Sequence, residues 1–423
     1  MGWLNRQRLL KLRQVSENLA LSSRAVEGGQ FIYMKICILT TSFPRYEEDD
    51  AGIFIQRLAL SYKSQGIDIC VIIPRDQNEA LQESSKGLRL RRFSYTVFAN
   101  RKLAFGSGIM PNLRKYPWLI LQVPGLFLGF VFAVFKEKNN IDIIHAQWLV
   151  NAIPAYLCKI LFKKPYIITL RGEDLRLLNL PFFRFIFSQV IKQALFTTTV
   201  SQDAISKFRK KEDSKLYYVP NGVEFALPSE EEVAKFKNEK NYSQEFKYII
   251  FVGSIIPRKR IDVLVDILSY LPDYTLILCG RTDLAEYLEE IKLRAENAGC
   301  LDRIKFEGQV NPILIPKYLG IADCYLSASE HEGRPNAVLE ALYLGCPVVL
   351  SDILAHRELV SDEKSGLLFD IGEPKMAAKQ IQGLLGDKKL KTQIIAAGRQ
   401  SVADYSWANC AARYINLIER HRR

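Results

Sequence analysis

Short β-rich runs alternate with helical stretches along almost the whole chain, and the pattern runs through twice. In the first half the β-rich runs fall at 36–40, 68–73, 142–146, 166–170 and 196–200, with helical stretches at 54–65 and 151–163. In the second half the runs at 248–252, 274–279, 304–307, 324–327 and 348–350 alternate with helical stretches at 261–270, 284–298, 316–319 and 337–344. A strand that must return parallel to its predecessor needs a crossover, and a helix supplies it, so the grammar predicts two doubly wound α/β domains. In open sheets of this kind ligands bind beyond the carboxyl ends of the strands. Two such sheets facing each other make a cleft, and the chemistry is expected there.

The division of the chain follows. Val219-Pro220-Asn221-Gly222-Val223 reads as a turn, and a charged helical stretch comes after it. The expected organisation is a leader at 1–33, a first domain at 34–222, a linker at 223–245, a second domain at 246–400, and a C-terminal helix at 401–423 that returns to the first domain. A length of 423 residues accommodates two or three cores. Residues 1–33 hold no apolar core of signal-peptide length, because Arg6, Arg8, Lys11 and Arg13 interrupt it, so a cytoplasmic location is expected; Met34 stands as an alternative start. The eight cysteines are single and contain no C-x-x-C pair, a reduced pattern without a zinc or disulfide framework.

Charge is unevenly placed. Residues 1–220 hold 32 Lys and Arg against 17 Asp and Glu, while 221–423 hold 26 against 29. A basic half suits an anionic partner such as a membrane surface, or is a solvated basic surface. Within it, residues 118–135 are apolar apart from Gln122 and are flanked by Arg101, Lys102, Arg114, Lys115, Lys136 and Lys138. Pro124, Gly125 and Gly129 argue against a regular membrane span. The stretch reads as a core helix of the first domain or as a segment resting on an anionic lipid interface, and the aromatic run 181–187 adds to the second reading.

Four motifs bear on chemistry. Ser329-Glu330-His331-Glu332-Gly333-Arg334-Pro335-Asn336-Ala337-Val338-Leu339-Glu340 follows an apolar strand, and Pro335 suits a first helical position. Backbone N–H groups at 336–338 and the helix dipole would then favour an anion such as a phosphate, with Glu332 and Glu340 flanking it. An ordinary capped surface helix fits the same residues. Gly253-Ser254-Ile255-Ile256-Pro257-Arg258-Lys259-Arg260 ends the second domain's first strand with three cations that can neutralise a diphosphate, or form a solvated run. Leu170-Arg171-Gly172-Glu173-Asp174 ends a strand of the first domain, where Gly172 would turn Arg171 and Asp174 into the cleft. Last, 40–45 and 49–54 form a loop between the first strand and first helix, where small residues and Gly52 at the helix N-terminus suggest close approach of a ligand; acidic residues at 47–50 acting as ordinary partners of the helix dipole are the alternative.

These pieces, in this order, resemble the large retaining glycosyltransferase family 4, whose members have the two-domain GT-B fold. The resemblance runs from about residue 34 to 407. Its most specific part is Glu332 to Glu340, similar to that family's E-x7-E element; Val219-Pro220-Asn221-Gly222-Val223, Gly308, Ala322-Asp323 and Gly345-Cys346-Pro347 match further landmarks. The resemblance implies a nucleotide-sugar donor held by the second domain. Glu340 would accept from the ribose hydroxyls, and Glu332 would meet the hydroxyls of the transferred sugar. Lys259 and Arg258 would stabilise the leaving diphosphate, with Gly253, Gly333 and the backbone of Asn336, Ala337 and Val338 beside it. Gly308, Gln309 and Val310 would edge the base. Gly52, Arg171 and Asp174 would serve from the acceptor side.

Two positions depart from the family's pattern: Arg171 stands where a His is frequent, and Ser254 where an Arg is. The implied reaction is transfer with retention to an acceptor hydroxyl by front-face attack, with no cofactor and no metal. D-x-D is absent from the site motifs, and Arg and Lys carry the charge compensation. The acceptor is expected to be a glycan or a lipid-linked saccharide at the cytoplasmic membrane face, or a soluble molecule. A nucleotide-sugar epimerase or hydrolase using His331 and His356 is the alternative enzyme class. A nucleic-acid binder is the remaining class, without any base-reading module to support it and therefore not expected.

Overall fold

The computed structural model describes residues 34–422 except 47–48, 50, 76–83, 97–101, 105–107, 173–180, 203–204, 206–214, 244 and 283. Two sheets organise it. The first contains β1 (Lys35–Leu39), β2 (Asp68–Pro74), β3 (Ser84–Ser85), β4 (Leu88–Phe93), β5 (Ile143–Gln147), β6 (Tyr166–Leu170), β7 (Thr197–Thr199) and β8 (Leu216–Tyr218), in the order β3-β4-β2-β1-β5-β6-β7-β8. The second contains β9 (Lys247–Val252), β10 (Tyr274–Cys279), β11 (Ile304–Gly308), β12 (Cys324–Ser327), β13 (Val348–Ser351) and β14 (Leu367–Phe369), in the order β11-β10-β9-β12-β13-β14. Among the described residues only β3 runs antiparallel to its neighbour. The expected pair of α/β domains is the fold observed.

Near-continuous apolar strands explain why both faces of each sheet are covered. Along β1, Ile36 and Ile38 enter one core cluster and Cys37 and Leu39 the other. One face of the first sheet carries α1 (Ile53–Ser64); the other carries α2 (Val123–Glu137), α3 (Leu149–Phe162) and α4 (Pro181–Gln193). In the second domain α5 (Asn336–Leu344) follows β12 and ends at Gly345, whose φ of 80° supplies the left-handed stop. The C-terminal helix α6 (Trp407–Arg422) lies against α1, with Trp407, Cys410, Tyr414 and Ile418 in the same cluster as Tyr62 and Phe196.

The apolar stretch 118–135 is not one element. Pro117–Gln122 is a 3-10 turn, and α2 begins at Val123 with Pro124 in its first turn. One face of α2 is core, through Leu126, Phe130 and Val134. Gly125 and Gly129 let it sit close: a Cβ there would lie 2.2 Å from the Tyr95 carbonyl oxygen and 2.3 Å from the Phe93 ring. Residues 223–245, expected as a linker, include a helix, Glu230–Glu239, capped by Ser229 and Glu232 in a reciprocal box; its Phe236 packs edge-on against Tyr318 in a core cluster of the second domain.

Candidate active site

In each sheet the chain order reverses beside its first strand, between β1 and β5 and between β9 and β12. Loops leaving such neighbours diverge and open a crevice at their carboxyl ends. The loop after β9 carries Arg258 and Lys259, and the loop after β12 carries Glu332 and Gly333, so Lys259 and Glu332, 73 positions apart in the chain, meet at one switch point. A backbone bond from Glu330 N–H to the Arg258 carbonyl, 3.0 Å, ties them.

Glu332 is almost fully buried and pairs with Lys259 Nζ, while Arg258 Nη1 lies 3.6 Å from its second oxygen and Ser329 Oγ donates to it at 2.9 Å. Burial alone would push this carboxyl up; Lys259, Arg258 and Ser329 more than reverse that and hold it below the ordinary range. Arg260 points elsewhere, to Asp262 and Glu330, so two of the three consecutive cations serve the crevice. Beneath Glu332, Ser351 Oγ donates to the Ser329 carbonyl at 2.6 Å, and His356 Nδ1 lies 2.7 Å from the Ser351 carbonyl. His356 is thereby a buried, braced residue whose burial lowers its basicity.

Pro335 is the N-cap of α5, one position before the first helical residue to which its ring is suited, and the Asn336 N–H is spent on the Arg334 carbonyl at 3.0 Å. Of the three expected backbone donors, Asn336 is therefore lost to the fold. Ala337 and Val338 open the helix, and Leu339 N–H makes the return bond to Pro335. Glu340 lies on α5 with Arg57 of α1 at 3.3 Å, an ion pair from one domain to the other. Burial moves the Glu340 carboxyl above its usual range, and Arg57 only partly opposes it. Arg57 also stacks 4.5 Å over the Phe225 ring.

Across the crevice Arg171 is fixed on three sides. Its Nε and Nη2 donate to Gln147 Oε1 at 3.0 and 2.7 Å, its Nη1 donates to Asn221 Oδ1 at 2.9 Å, and it lies 4.3 Å over the Phe54 ring. Asn221 in turn donates to Asn336 Oδ1 at 3.0 Å, joining the domains. Two glycines also meet there: a Cβ on Gly172 would stand 2.8 Å from Gly333 Cα, and one on Gly333 would stand 2.5 Å from the Arg171 carbonyl oxygen. Arg334 crosses as well, donating to Tyr218 at 3.0 Å and stacking 4.7 Å over Tyr405.

The remaining expected residues separate. Gly253 stays with the crevice: it follows β9, its carbonyl backs onto Gly280, and a Cβ on it would stand 3.9 Å from Lys259 Cε. Apart from it, Gly308, the last residue of β11, and Gln309 are exposed, with Val310 half-buried. Gly52 has a φ of 68° and its missing Cβ makes room for the Ser42 carbonyl, so its need for glycine comes from the loop's own backbone. The first turn of α1 has no acidic residue; Asp49 instead braces the loop by accepting from Arg45 and Ala51. Asp174 lies outside the described residues. Sequence reading missed Arg57, Gln147, Trp148, Arg334 and Ser351. For Trp148 a signal exists only in space: it holds φ at 65° just after β5, beside Phe54 and Arg171.

Two family models match: Glycosyltransferase Family 4 over residues 51–227 and Glycosyl transferases group 1 over residues 232–401. A phosphatidyl-myo-inositol mannosyltransferase of Mycobacterium leprae is 29% identical over 208 residues, 48% of this chain and 52% of that protein, so the match spans about half of the relative's length. An N-acetyl-alpha-D-glucosaminyl L-malate synthase of Bacillus anthracis is 25% identical, covering 67% of this chain and 76% of that protein. Among solved structures, sucrose-phosphate synthase from Thermosynechococcus elongatus superposes with a TM-score of 0.77 at 18% identity, covering 92% of this chain and 98% of that one. Anabaena HepE in complex with UDP and glucose does so with a TM-score of 0.72 at 17% identity, covering 92% and 100%. With one model on each domain and a two-sheet architecture that matches these structures nearly end to end, the chain belongs to glycosyltransferase family 4 and has the GT-B fold.

Proposed function

We propose that this protein is a metal-independent retaining glycosyltransferase that moves a sugar from a nucleotide-sugar donor to a hydroxyl of a lipid-linked saccharide or polysaccharide precursor at the cytoplasmic membrane face. The observation that carries the reading is the convergence of Arg258, Lys259 and Glu332 at the switch point of the second sheet, facing Arg171 across the crevice. A diphosphate arriving there takes over the two cations that now neutralise Glu332. The freed carboxylate then accepts from hydroxyls of the transferred sugar, and Glu340 accepts from the ribose. As the glycosidic bond stretches, negative charge grows on the departing phosphate oxygen; Lys259 and Arg258 stabilise it, and that oxygen takes the proton of the attacking hydroxyl on the same face. The protein contributes position and preorganised charge.

The donor reading draws support from Anabaena HepE, whose structure contains UDP and glucose. The acceptor reading draws support from the mycobacterial relative, whose name couples a mannosyltransferase to a phosphatidyl-inositol. A thermal-shift screen of nucleotide sugars is the direct test, since a ligand that binds the native state raises its stability. The expected result is stabilisation by one nucleotide class, and release of free nucleotide only when an acceptor hydroxyl is supplied. Release without acceptor indicates a hydrolase, and an absence of stabilisation by any nucleotide sugar removes the donor reading.

A further inference from the structure

Ten of the twenty large apolar side chains left exposed among the described residues fall between Trp118 and Phe185, all on the α2–α3–α4 side of the first domain. Leu121 is 81% exposed, Leu128 66% and Phe185 73%. The stretch Pro117–Asn140 is long and apolar enough to cross a bilayer, yet its inner side is locked into the core by Leu126, Phe130 and Val134 and by the two glycines against β4 and its exit. It cannot leave the domain without tearing that core open. What it offers outward is therefore a flat apolar strip, about 22 Å long at 1.5 Å per residue.

Cations edge this strip. Lys136 lies 4.7 Å over the Phe132 ring and Lys138 4.4 Å over Phe135, which itself packs 5.5 Å from Phe162 at the end of α3. Residues 109–165 hold seven Lys and Arg against two acids, and 181–193 hold two against none. Both acids are already used: Glu137 is buried and accepts from Arg91 at 2.6 Å, and Asp142 accepts from the Lys35 N–H at 2.9 Å. Between α3 and α4 a cavity of about 380 Å³ is lined by Tyr156, Lys159, Ile160, Lys163, Pro165 and Gln193. It opens at the end of the first sheet where α2 and α3 finish, beside the exposed Ile160 and Leu161.

We infer that the outward strip of α2, continued by the C-terminal end of α3, docks the protein onto a bilayer containing anionic phospholipid, with the lysine-lined cavity receiving a headgroup phosphate. Charge decides the occupant. Two copies meeting symmetrically through this face would bring like-charged rims together without an acid to offset them, whereas an apolar interior below an anionic headgroup layer complements both features. The inference deepens the proposed acceptor, because a lipid-linked substrate presents its hydroxyl at that surface; it does not depend on the donor chemistry.

The test is co-flotation of the full chain with vesicles of phosphatidylcholine alone and with phosphatidylglycerol added. Binding is expected only with the anionic lipid, and raising the salt should weaken it. L128D/F132D, both at exposed positions, should abolish flotation, and K136E/K138E should weaken it by roughly fivefold or more per lysine. K159Q/K163Q should reduce binding to anionic vesicles with thermal stability unchanged. Absence of flotation at low salt overturns the inference, as does flotation that L128D/F132D leaves intact. A dimer of the parent chain that L128D/F132D converts to monomer also overturns it, in favour of a second copy. Thermal stabilisation by nucleotide sugar is read on the same variants; if it persists while flotation fails, the docking surface is wrong and the transferase reading stands.

Discussion

Replacing Lys259 by Met tests the crevice on two scales at once. Lys259 and Glu332 are 15% and 8% exposed, and the remaining cation, Arg258, is 3.6 Å away and 40% exposed. Removing one partner of a buried pair strands the other charge, at a cost of about 3 kcal/mol, or roughly 10 °C in the melting of the second domain. The pH dependence changes sign. In the parent, Glu332 is held below the ordinary carboxyl range, so its contribution is complete above the unfolded-state value and is lost as pH falls through the folded one. In the variant, burial dominates and the carboxyl rises above the ordinary range, so stability falls as pH rises through that shifted value. The deficit therefore grows as pH rises above the ordinary carboxyl range. Adding Glu332→Gln removes the stranded charge and should restore stability while leaving turnover depressed by at least roughly 30- to 900-fold, the equivalent of about 2–4 kcal/mol of leaving-group stabilisation, with the altered Glu332 contact to the sugar adding to the loss. Denaturation across pH and steady-state assays of the single and double variants measure both. Equal stability of Lys259→Met and parent at pH 7, or normal turnover in the double variant, refutes the reasoning.

Glu340→Ala should weaken nucleotide binding by about 1.5–3 kcal/mol, whereas Glu332→Ala should slow turnover far more than it weakens the nucleotide; calorimetry and initial rates separate the two. Because burial raises the Glu340 carboxyl, nucleotide affinity in the parent should fall as pH drops through that raised value, and the fall should be absent in Glu340→Gln. Gly333→Ala places a methyl 2.5 Å from the Arg171 carbonyl and should force the crevice open, lowering turnover at least tenfold and increasing the radius of gyration in solution scattering. Arg171→Lys loses the paired donation to Gln147 and the stacking on Phe54, and should cost about tenfold in turnover with folding unchanged by circular dichroism.

The second domain was the more legible one because its site is local. Strand, loop and helix follow one another from Cys324 to Leu344, so the spacing of Glu332 and Glu340 carried its geometry with it. The first domain contributes single residues from separate elements: Arg57 from mid-helix, Gln147 from a strand end, Asn221 from a turn. No window of sequence sets these apart from ordinary residues. Among strands, β4 reads Leu-Arg-Leu-Arg-Arg-Phe, a pattern expected at a surface; it becomes interior to the sheet because β3 covers its edge and Arg89 and Arg91 are drawn to Glu137. The three-residue strands β8 and β14 are too short for a period to register.

How an arginine can stand at position 171 is explained by what lies behind it. Arg171 donates twice to Gln147 Oε1, which fixes the Gln147 amide with its NH2 toward His145 Nε2, 2.9 Å away. Two donors cannot face each other, so His145 must present a lone pair there and carry its single proton on Nδ1, toward Tyr62 at 3.3 Å. Burial, with Arg171 adding to it, pushes the His145 pKa down to about 3, so the ring is neutral near pH 7. Thr169 then bridges His145 at 2.7 Å and Tyr414 of α6 at 2.8 Å. The guanidinium is thus oriented by a neutral chain that ends on the C-terminal helix, and that helix becomes part of the site's rigidity. A charged imidazole at 145 would repel Arg171 and reverse the Gln147 amide, so the placement of the Arg171 guanidinium depends on keeping a buried histidine dry.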